Sequence, residues 1–267
     1  MNTEQRYTDP WSATDLAYAE ELAYADEAAR ERAAVGAEVA EDTEITPVDD
    51  REFLGEIERS LLLGGSTVEH QILRKLNLRL VEQAGSEGLV DARYAFLQSP
   101  MGNLLVVATP FGLLRIGFDT EHFTTVLDEV AAVVGPAVVE DPVGIRHHLD
   151  ELEQYFAGER RTFDLPLDMR LMKTGGFRSK VQLALPDIPY GETYSYTQMA
   201  LHVDNPKATR AVGTACAQNP LPIVLPCHRV VRTDGSFGNY RGGHDRKQWI
   251  LTFESTQLEK ERSAAPF

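Results

Sequence analysis

One of the two cysteines in this chain lies where it could act as a nucleophile. Cys227 stands between Pro226 and His228, with apolar residues at 223–225 and 230–231. The thiolate is the reactive form of cysteine, and a free thiol titrates at about pH 8.5, so reactivity at neutral pH requires a neighbouring base or cation. His228 could be that base. The alternative is a small thiol that only packs in the core, the commoner role of a free cysteine.

The positive charge of the chain is concentrated around this cysteine. The 267 residues carry a net charge of −15, divided as −12 over residues 1–90, −8 over 91–169 and +5 over 170–267. Phosphate affinity depends on local charge, so the basic third can bind nucleic acid although the whole chain is acidic. An ordinary solvated surface is the alternative reading of that modest positive charge.

The composition argues against several classes of protein. No apolar run approaches the roughly 18 residues of a membrane span, and the N-terminal residues resemble no signal peptide. Two cysteines make no disulfide framework and are too few for an all-cysteine zinc site. We therefore expect no metal, no membrane and a cytoplasmic location.

An acidic extension precedes the globular part of the chain. This extension covers residues 1–90, and we expect it to be partly helical or disordered. Residues 1–50 in particular are rich in Ala and Glu, and their apolar side chains are too sparse and small to build a core. Residues 51–63 and 68–80 each show the apolar spacing of an amphipathic helix. These two helices could dock on the main domain, on a partner or on each other.

Residues 91–170 are predicted to form an N-terminal α+β lobe. Its predicted elements are a β-hairpin, two helices and an edge strand, at residues 104–118, 123–134, 145–156 and 162–167. His147 and His148 fall beside acidic residues on the second helix, and we expect both at the surface.

Residues 171–260 are predicted to form a mainly helical domain. Ser195 is a suitable N-cap for a helix over 196–203, and Asn205 with Pro206 is predicted to begin a second helix that ends at Ala217. Two short helices joined by a tight turn are a helix-turn-helix candidate. The second helix is built mostly of small residues, so close packing on a neighbouring helix is the alternative.

A closing helix over 247–258 carries Glu254 among apolar residues. A carboxylate in that position is either poorly buried or held by a partner.

Residues 177–254 resemble the catalytic domain of the O6-alkylguanine-DNA alkyltransferases, also called methylated-DNA–protein-cysteine methyltransferases. The residues that carry the resemblance are Ile188 to Thr193, Ser195-Tyr196, Asn205 to Gly213, Asn219-Pro220, Pro226 to Val230 and Gly238 to Gly243. Residues 92–170 resemble that family's ribonuclease H-like lobe more loosely. The resemblance implies an α+β protein in which an α/β lobe precedes a helical domain with a helix-turn-helix.

The resemblance also implies a suicide DNA repair protein without a cofactor. Cys227 would accept the alkyl group from O6-alkylguanine, and from O4-alkylthymine, in double-stranded DNA. His228 would take the thiol proton through a water, and Glu254 would hold the histidine. The protein would then be cytoplasmic and nucleoid-associated through DNA bound at the minor groove.

Further roles are implied for the DNA-facing and pocket residues. Arg210 would replace the flipped base in the stack, and Tyr196 would crowd the 3′ phosphate and assist guanine N3, because a base inside the duplex cannot reach a thiolate. Additional DNA contacts are expected from Thr197, Ala211 and Thr233. Asn219 would join the helix-turn-helix to the cysteine segment. The base pocket would be lined by Asn219, Pro222, the backbone of Val230, Tyr240 and Arg241.

Two positions depart from the family pattern or lack a role in it. Gln182 stands where the family often has Trp, and Cys216 has no implied role, so we interpret Cys216 as packing.

Three other functions are alternatives to alkyl transfer. An alkyltransferase-like protein that marks lesions without repairing them would lack Cys227. A transcription factor would need base-reading polar residues on a helix that here is mostly Ala and Gly. A cysteine hydrolase would need an oxyanion hole, for which no clear candidate is seen. The acidic extension would either weaken non-specific DNA binding or dock on a protein partner.

Overall fold

A four-stranded sheet forms the first half of the described chain. The computed structural model describes residue 76 and residues 79–81, 83–172 and 175–264. The strands are β1 (Ala92–Ser99), β2 (Gly102–Thr109), β3 (Gly112–Phe118) and β4 (Val138–Glu140). Their order is β3-β2-β1-β4, with β1, β2 and β3 antiparallel and β4 parallel to β1. The β2–β3 pair confirms the predicted hairpin.

The two faces of this sheet bury different partners. Alternate residues of β2 point to opposite faces, so Leu105 and Val107 pack with Val126 and Val130 of helix α1 (Phe123–Val134). The other residues of β2 join the main core, which also includes helix α2 (Arg146–Ala157) and the helices that follow. The sheet is therefore covered on both sides, which explains why β2 and β3 read as continuous apolar runs.

Two predictions for this lobe are wrong. Residues 162–167 form no strand, and the only bridge there pairs Leu167 with Leu113. Pro166 has no N–H to continue a ladder, and only its carbonyl is used, as the acceptor for Leu113 N at 2.8 Å. His147 is exposed as predicted, but both ring nitrogens of His148 are buried, since the ring turns inward from α2.

The second half of the described chain is mainly helical. Its helices are α3 (Phe177–Ala184), α4 (Tyr196–His202), α5 (Thr209–Ala217) and α6 (His244–Ala264). Two short parallel strands, β5 (Tyr194–Ser195) and β6 (Val230–Val231), lie among them. The mixed lobe followed by a helical domain confirms the predicted order of fold classes. Along the described ranges, no helix is long and apolar enough to cross a bilayer.

The start of α4 is as predicted, whereas the start of α5 is not. Ser195 Oγ accepts from Gln198 N at 3.1 Å, and Gln198 Oε1 accepts from Ser195 N at 2.7 Å, which makes a capping box. Asn205 does not cap α5, because it belongs to the turn before that helix, in which Asn205 N donates to Ala200 O. The helix begins only at Thr209. The assignment of α4 and α5 as a helix-turn-helix stays a prediction.

The expectations for residues 1–75 lie outside the described residues. They include the acidic extension, the amphipathic helix over 51–63 and most of the helix over 68–80.

We expect Gly112→Ala to lower the free energy of unfolding by about 3 kcal/mol. Gly112 has φ +129, and a Cβ atom there would lie 2.1 Å from the carbonyl oxygen of Pro166. The control is Gly88→Ala, where φ is +71 but nothing lies within 4 Å, and we expect a loss of about 1 kcal/mol. Urea denaturation measures both variants. Equal losses would contradict the close approach of the two segments.

Candidate active site

Cys227 lies at the start of a short 3-10 turn, Cys227–Arg229, that leads into β6. The thiol is only 1% exposed, and Pro226 before it is also buried. Cys227 N donates to Leu225 O at 2.7 Å and Arg229 N to Pro226 O at 3.0 Å. The backbone that carries the thiol is therefore fixed by its own turn.

The loop between α5 and Cys227 is held by one buried amide side chain. Asn219 Nδ2 donates to Leu225 O at 2.7 Å, and Asn219 Oδ1 accepts from Leu221 N at 3.0 Å. Between them Ile223 has φ +77, a left-handed conformation that is rare for a β-branched residue. The Asn219 side chain thus spans a strained segment and joins the end of α5 to the cysteine turn.

Glu254 of α6 is the point where the elements around the site meet. It is fully buried, and it accepts hydrogen bonds from three side chains and one backbone amide. The distances to its carboxylate oxygens are 3.0 Å from His228 Nε2, 2.8 Å from Arg229 Nη2, 2.6 Å from Tyr155 Oη and 3.0 Å from Gly191 N. Burial alone would raise the pKa of Glu254, but His228 and Arg229 hold that pKa well below its usual range.

The same contact orients His228. Because Glu254 is ionised, it accepts the proton of Nε2, so in the neutral ring Nδ1 is the unprotonated nitrogen. Nδ1 is buried and makes no hydrogen bond within the described ranges. Burial lowers the pKa of His228, against the opposing effect of Glu254. The ring can therefore act as a neutral base.

The Cys227 thiol is protonated in this environment. Burial raises its pKa, while a hydrogen bond from Asn219 and the charges of Lys247 and Arg241 lower it in part. A base must therefore remove the proton when the thiol reacts.

Sequence reasoning missed Lys247, which is fully buried in α6 and donates from Nζ to Val230 O at 2.6 Å. Lys247, Ile250 and Glu254 are spaced i, i+3 and i+7, so the helical pattern places them on one buried face and could have revealed the lysine.

The predicted pocket residues lie around this turn. Pro222, Val230 and Tyr240 are buried with Asn219, and Tyr240 Oη has no hydrogen-bond partner among the described residues. Arg241 reaches back to the sheet lobe, where its Nη1 donates to Glu121 at 2.7 Å. Glu121 is also paired with the buried Arg115 of β3. The glycine-rich loop over residues 238–243, called the pocket loop below, is thus tied to the first lobe by an ion pair.

The predicted DNA contacts are exposed on the protein surface. Thr197 of α4, Arg210 and Ala211 of α5, and Thr233 after β6 are all exposed. Tyr196 is half-buried between that surface and the pocket loop, since a Cβ atom on Gly238 would lie only 1.9 Å from Tyr196 Oη. Burial, then the neighbouring Cys216 and Cys227, raises the pKa of Tyr196 to about 12.

Cys216 and Gln182 are both buried where α3 meets α5. Cys216 is 1% exposed, and burial raises the pKa of its thiol, as expected of a packing residue. Gln182 Nε2 donates to Ala215 O at 2.9 Å, so this amide joins the two helices.

Comparison with known proteins finds two matching family profiles. The ribonuclease-like domain of 6-O-methylguanine DNA methyltransferase matches residues 92–169, and the DNA binding domain of the same family matches residues 176–256. A methylated-DNA–protein-cysteine methyltransferase of Methanosarcina acetivorans is 36% identical over 163 residues, which is 61% of this chain and 98% of the relative.

Solved structures agree with these matches. The Mycobacterium tuberculosis O6-methylguanine methyltransferase superposes with a TM-score of 0.54 at 33% identity, over 62% of this chain and 94% of that chain. The Mycobacterium tuberculosis OGT in complex with DNA superposes with a TM-score of 0.51 at 34% identity, over the same shares of the two chains.

We expect Asn219→Ala to destabilise the protein by about 2 to 4 kcal/mol, because a buried carbonyl and a buried amide both lose their partner. Asn205→Ala, at an exposed asparagine, is the control and should stay within about 0.5 kcal/mol of the original protein. Chemical denaturation measures both. If Asn219→Ala is as stable as the control, Asn219 does not hold the loop.

Proposed function

This chain belongs to the methylated-DNA–protein-cysteine methyltransferase family, and from that premise we propose that it transfers the alkyl group of O6-alkylguanine in DNA irreversibly to its own Cys227. O4-alkylthymine is the second proposed substrate, since it carries the same alkyl–oxygen group on a base. The enzyme acts by alkyl transfer, and we propose that each molecule reacts once.

The observation that supports this proposal best is the arrangement of three adjacent groups. Cys227 is buried on a rigid turn, the next residue His228 has a buried Nδ1 with no hydrogen-bond partner among the described residues, and Glu254 holds Nε2 at 3.0 Å. This is a nucleophile, a base and an orienting acid, which together can deprotonate a thiol at the moment of attack.

The proposed step is a single displacement at the alkyl carbon. The sulfur of Cys227 forms a bond to that carbon while the bond from carbon to guanine O6 breaks. The thiol proton passes to His228 through a water, and the departing guanine takes up one proton, which Tyr196 assists at N3. A thioether has no good leaving group, so the protein is not regenerated.

Burial of Cys227 fits this order of events. Its raised pKa keeps the thiol protonated in the free protein, which limits reaction with other electrophiles. Deprotonation is then coupled to the arrival of the base, when His228 takes the proton in the transition state.

Reaching the buried thiol requires that the target base leave the duplex. We propose that α5 enters the minor groove, because its small residues allow close approach, and that Arg210 fills the place of the flipped base. Arg210 is exposed on α5, while Tyr196, the first residue of α4, lies against Gly238 of the pocket loop, where it can separate the 3′ phosphate from the pocket. The local net charge of +5 over residues 170–267 favours phosphate contacts.

Incubation with a duplex that contains O6-methylguanine should add one methyl group to the protein, as measured by intact-protein mass spectrometry. Peptide mapping should place the group on Cys227, and Cys227→Ser should abolish it. Cys216→Ser is the matched control, because it removes the other buried thiol and should leave the transfer intact.

Repeated turnover, or a methyl group on Cys216, would contradict the proposal. The same assay with O4-methylthymine tests the second substrate separately.

Arg210→Ala should slow methyl transfer from duplex DNA by about 10- to 100-fold, because stacking of one side chain in place of a base contributes about 1–3 kcal/mol. Lys207→Ala removes one positive charge from a nearby exposed position and serves as the control. Single-turnover rates on a duplex and on a single-stranded oligonucleotide distinguish stacking by Arg210 from a contribution of its charge alone. Equal losses in the two variants would show that Arg210 contributes only its charge.

A further inference from the structure

The charge of Glu254 is balanced by partners other than His228. Arg229 donates to both carboxylate oxygens, from Nη2 to Oε1 at 2.8 Å and from Nε to Oε2 at 3.0 Å. Tyr155 Oη and Gly191 N donate to the same carboxylate at 2.6 and 3.0 Å. The carboxylate therefore has a full cation and two neutral donors besides the imidazole.

Arg229 is itself fixed in this position. It is 5% exposed, its Nη1 donates to Ile188 O at 2.7 Å, and its guanidinium lies 5.5 Å from the centre of the Tyr190 ring. A planar guanidinium with two bonds to one carboxylate is a stronger and better oriented partner than an imidazolium. The fixed ion pair of the site is thus Arg229 with Glu254.

We propose that Arg229 is a positioning residue that neutralises Glu254, so that His228 is held by a hydrogen bond but stays uncharged and can accept the thiol proton. A histidine that had already paired with a carboxylate as a cation would have no lone pair for that proton. This inference rests on the proposed function, because it concerns the base in that reaction.

Other charged or titratable groups also surround the imidazole. Lys247 on α6 is buried and donates to Val230 O. Its positive charge and that of Arg229 both lower the pKa of His228. The groups that face His228 or its carboxylate partner are Cys227, Arg229, Tyr240, Lys247 and Glu254, with Tyr155 and Tyr190 around Glu254.

The sign of the expected effect follows from these neighbours. Methyl transfer requires neutral His228, so the rate falls as the pH drops through the pKa of His228. Without Arg229 the imidazolium loses a repelling cation and becomes the main counter-ion of Glu254, so the pKa of His228 rises. The acid limb of the rate profile should then move to higher pH.

The test compares single-turnover methyl transfer from about pH 5.5 to about pH 9.5 in three variants. Arg229→Gln should move the midpoint of the acid limb upward by about one pH unit or more, whereas Arg229→Lys, which keeps the charge, should restore most of the original midpoint. Arg93→Gln is the matched control, because it breaks a partly buried ion pair with Asp141 in the first lobe and should not move the midpoint.

A purely structural role for Arg229 would lower the rate by the same factor at every pH, and an unchanged midpoint in Arg229→Gln overturns the inference. If Arg229→Gln does not fold, Tyr155→Phe is the variant that tests the inference, because it removes one hydrogen-bond donor from Glu254. The midpoint of its acid limb should move upward by about half a pH unit. No shift in Tyr155→Phe would then overturn it.

The two proposals fail in different ways. Absence of methyl transfer by the original protein refutes the proposed function. NMR titration of His228 in the DNA-free variants measures the same midpoints without any activity, so it tests the role of Arg229 alone.

Discussion

The buried carboxylate of Glu254 is the constraint on which the rest of the site depends. A lone carboxylate in an apolar interior costs many kcal/mol, so the surrounding elements must supply donors. They come from α2 through Tyr155, from the turn before β5 through Gly191, and from the cysteine turn through His228 and Arg229. Satisfying one charge therefore fixes the positions of three segments, and the Cys227 thiol lies on one of them.

This arrangement gives the sheet lobe a chemical as well as a structural role. Tyr155 belongs to that lobe and bonds to Glu254 across 99 residues of sequence, while Glu121 holds Arg241 of the pocket loop. The lobe contributes no nucleophile or base to the described site. It sets the environment of the carboxylate and anchors Arg241 of the predicted pocket, so both halves of the described chain contribute to the candidate site.

Local signals in the sequence predicted local features well. Side-chain type alone identified the Ser195 cap, whereas the functional pairing of Cys227 with His228 stays a prediction. The predicted start of α5 is too early because the backbone of Asn205 makes hydrogen bonds in the preceding turn. Side-chain types do not reveal those bonds. Tyr155 and Arg229 were missed because their partnership with Glu254 arises from packing between distant segments, and the sequence shows only that Glu254 needs a partner.

We propose that the balanced carboxylate of Glu254 keeps His228 neutral and oriented. Nitrogen-15 NMR of His228 in the DNA-free protein at about pH 7 tests it most directly, because the chemical shifts distinguish the tautomers from the cation. We expect a neutral ring with its proton on Nε2 and an unprotonated Nδ1. A ring protonated on both nitrogens, or a proton on Nδ1 alone, would contradict it.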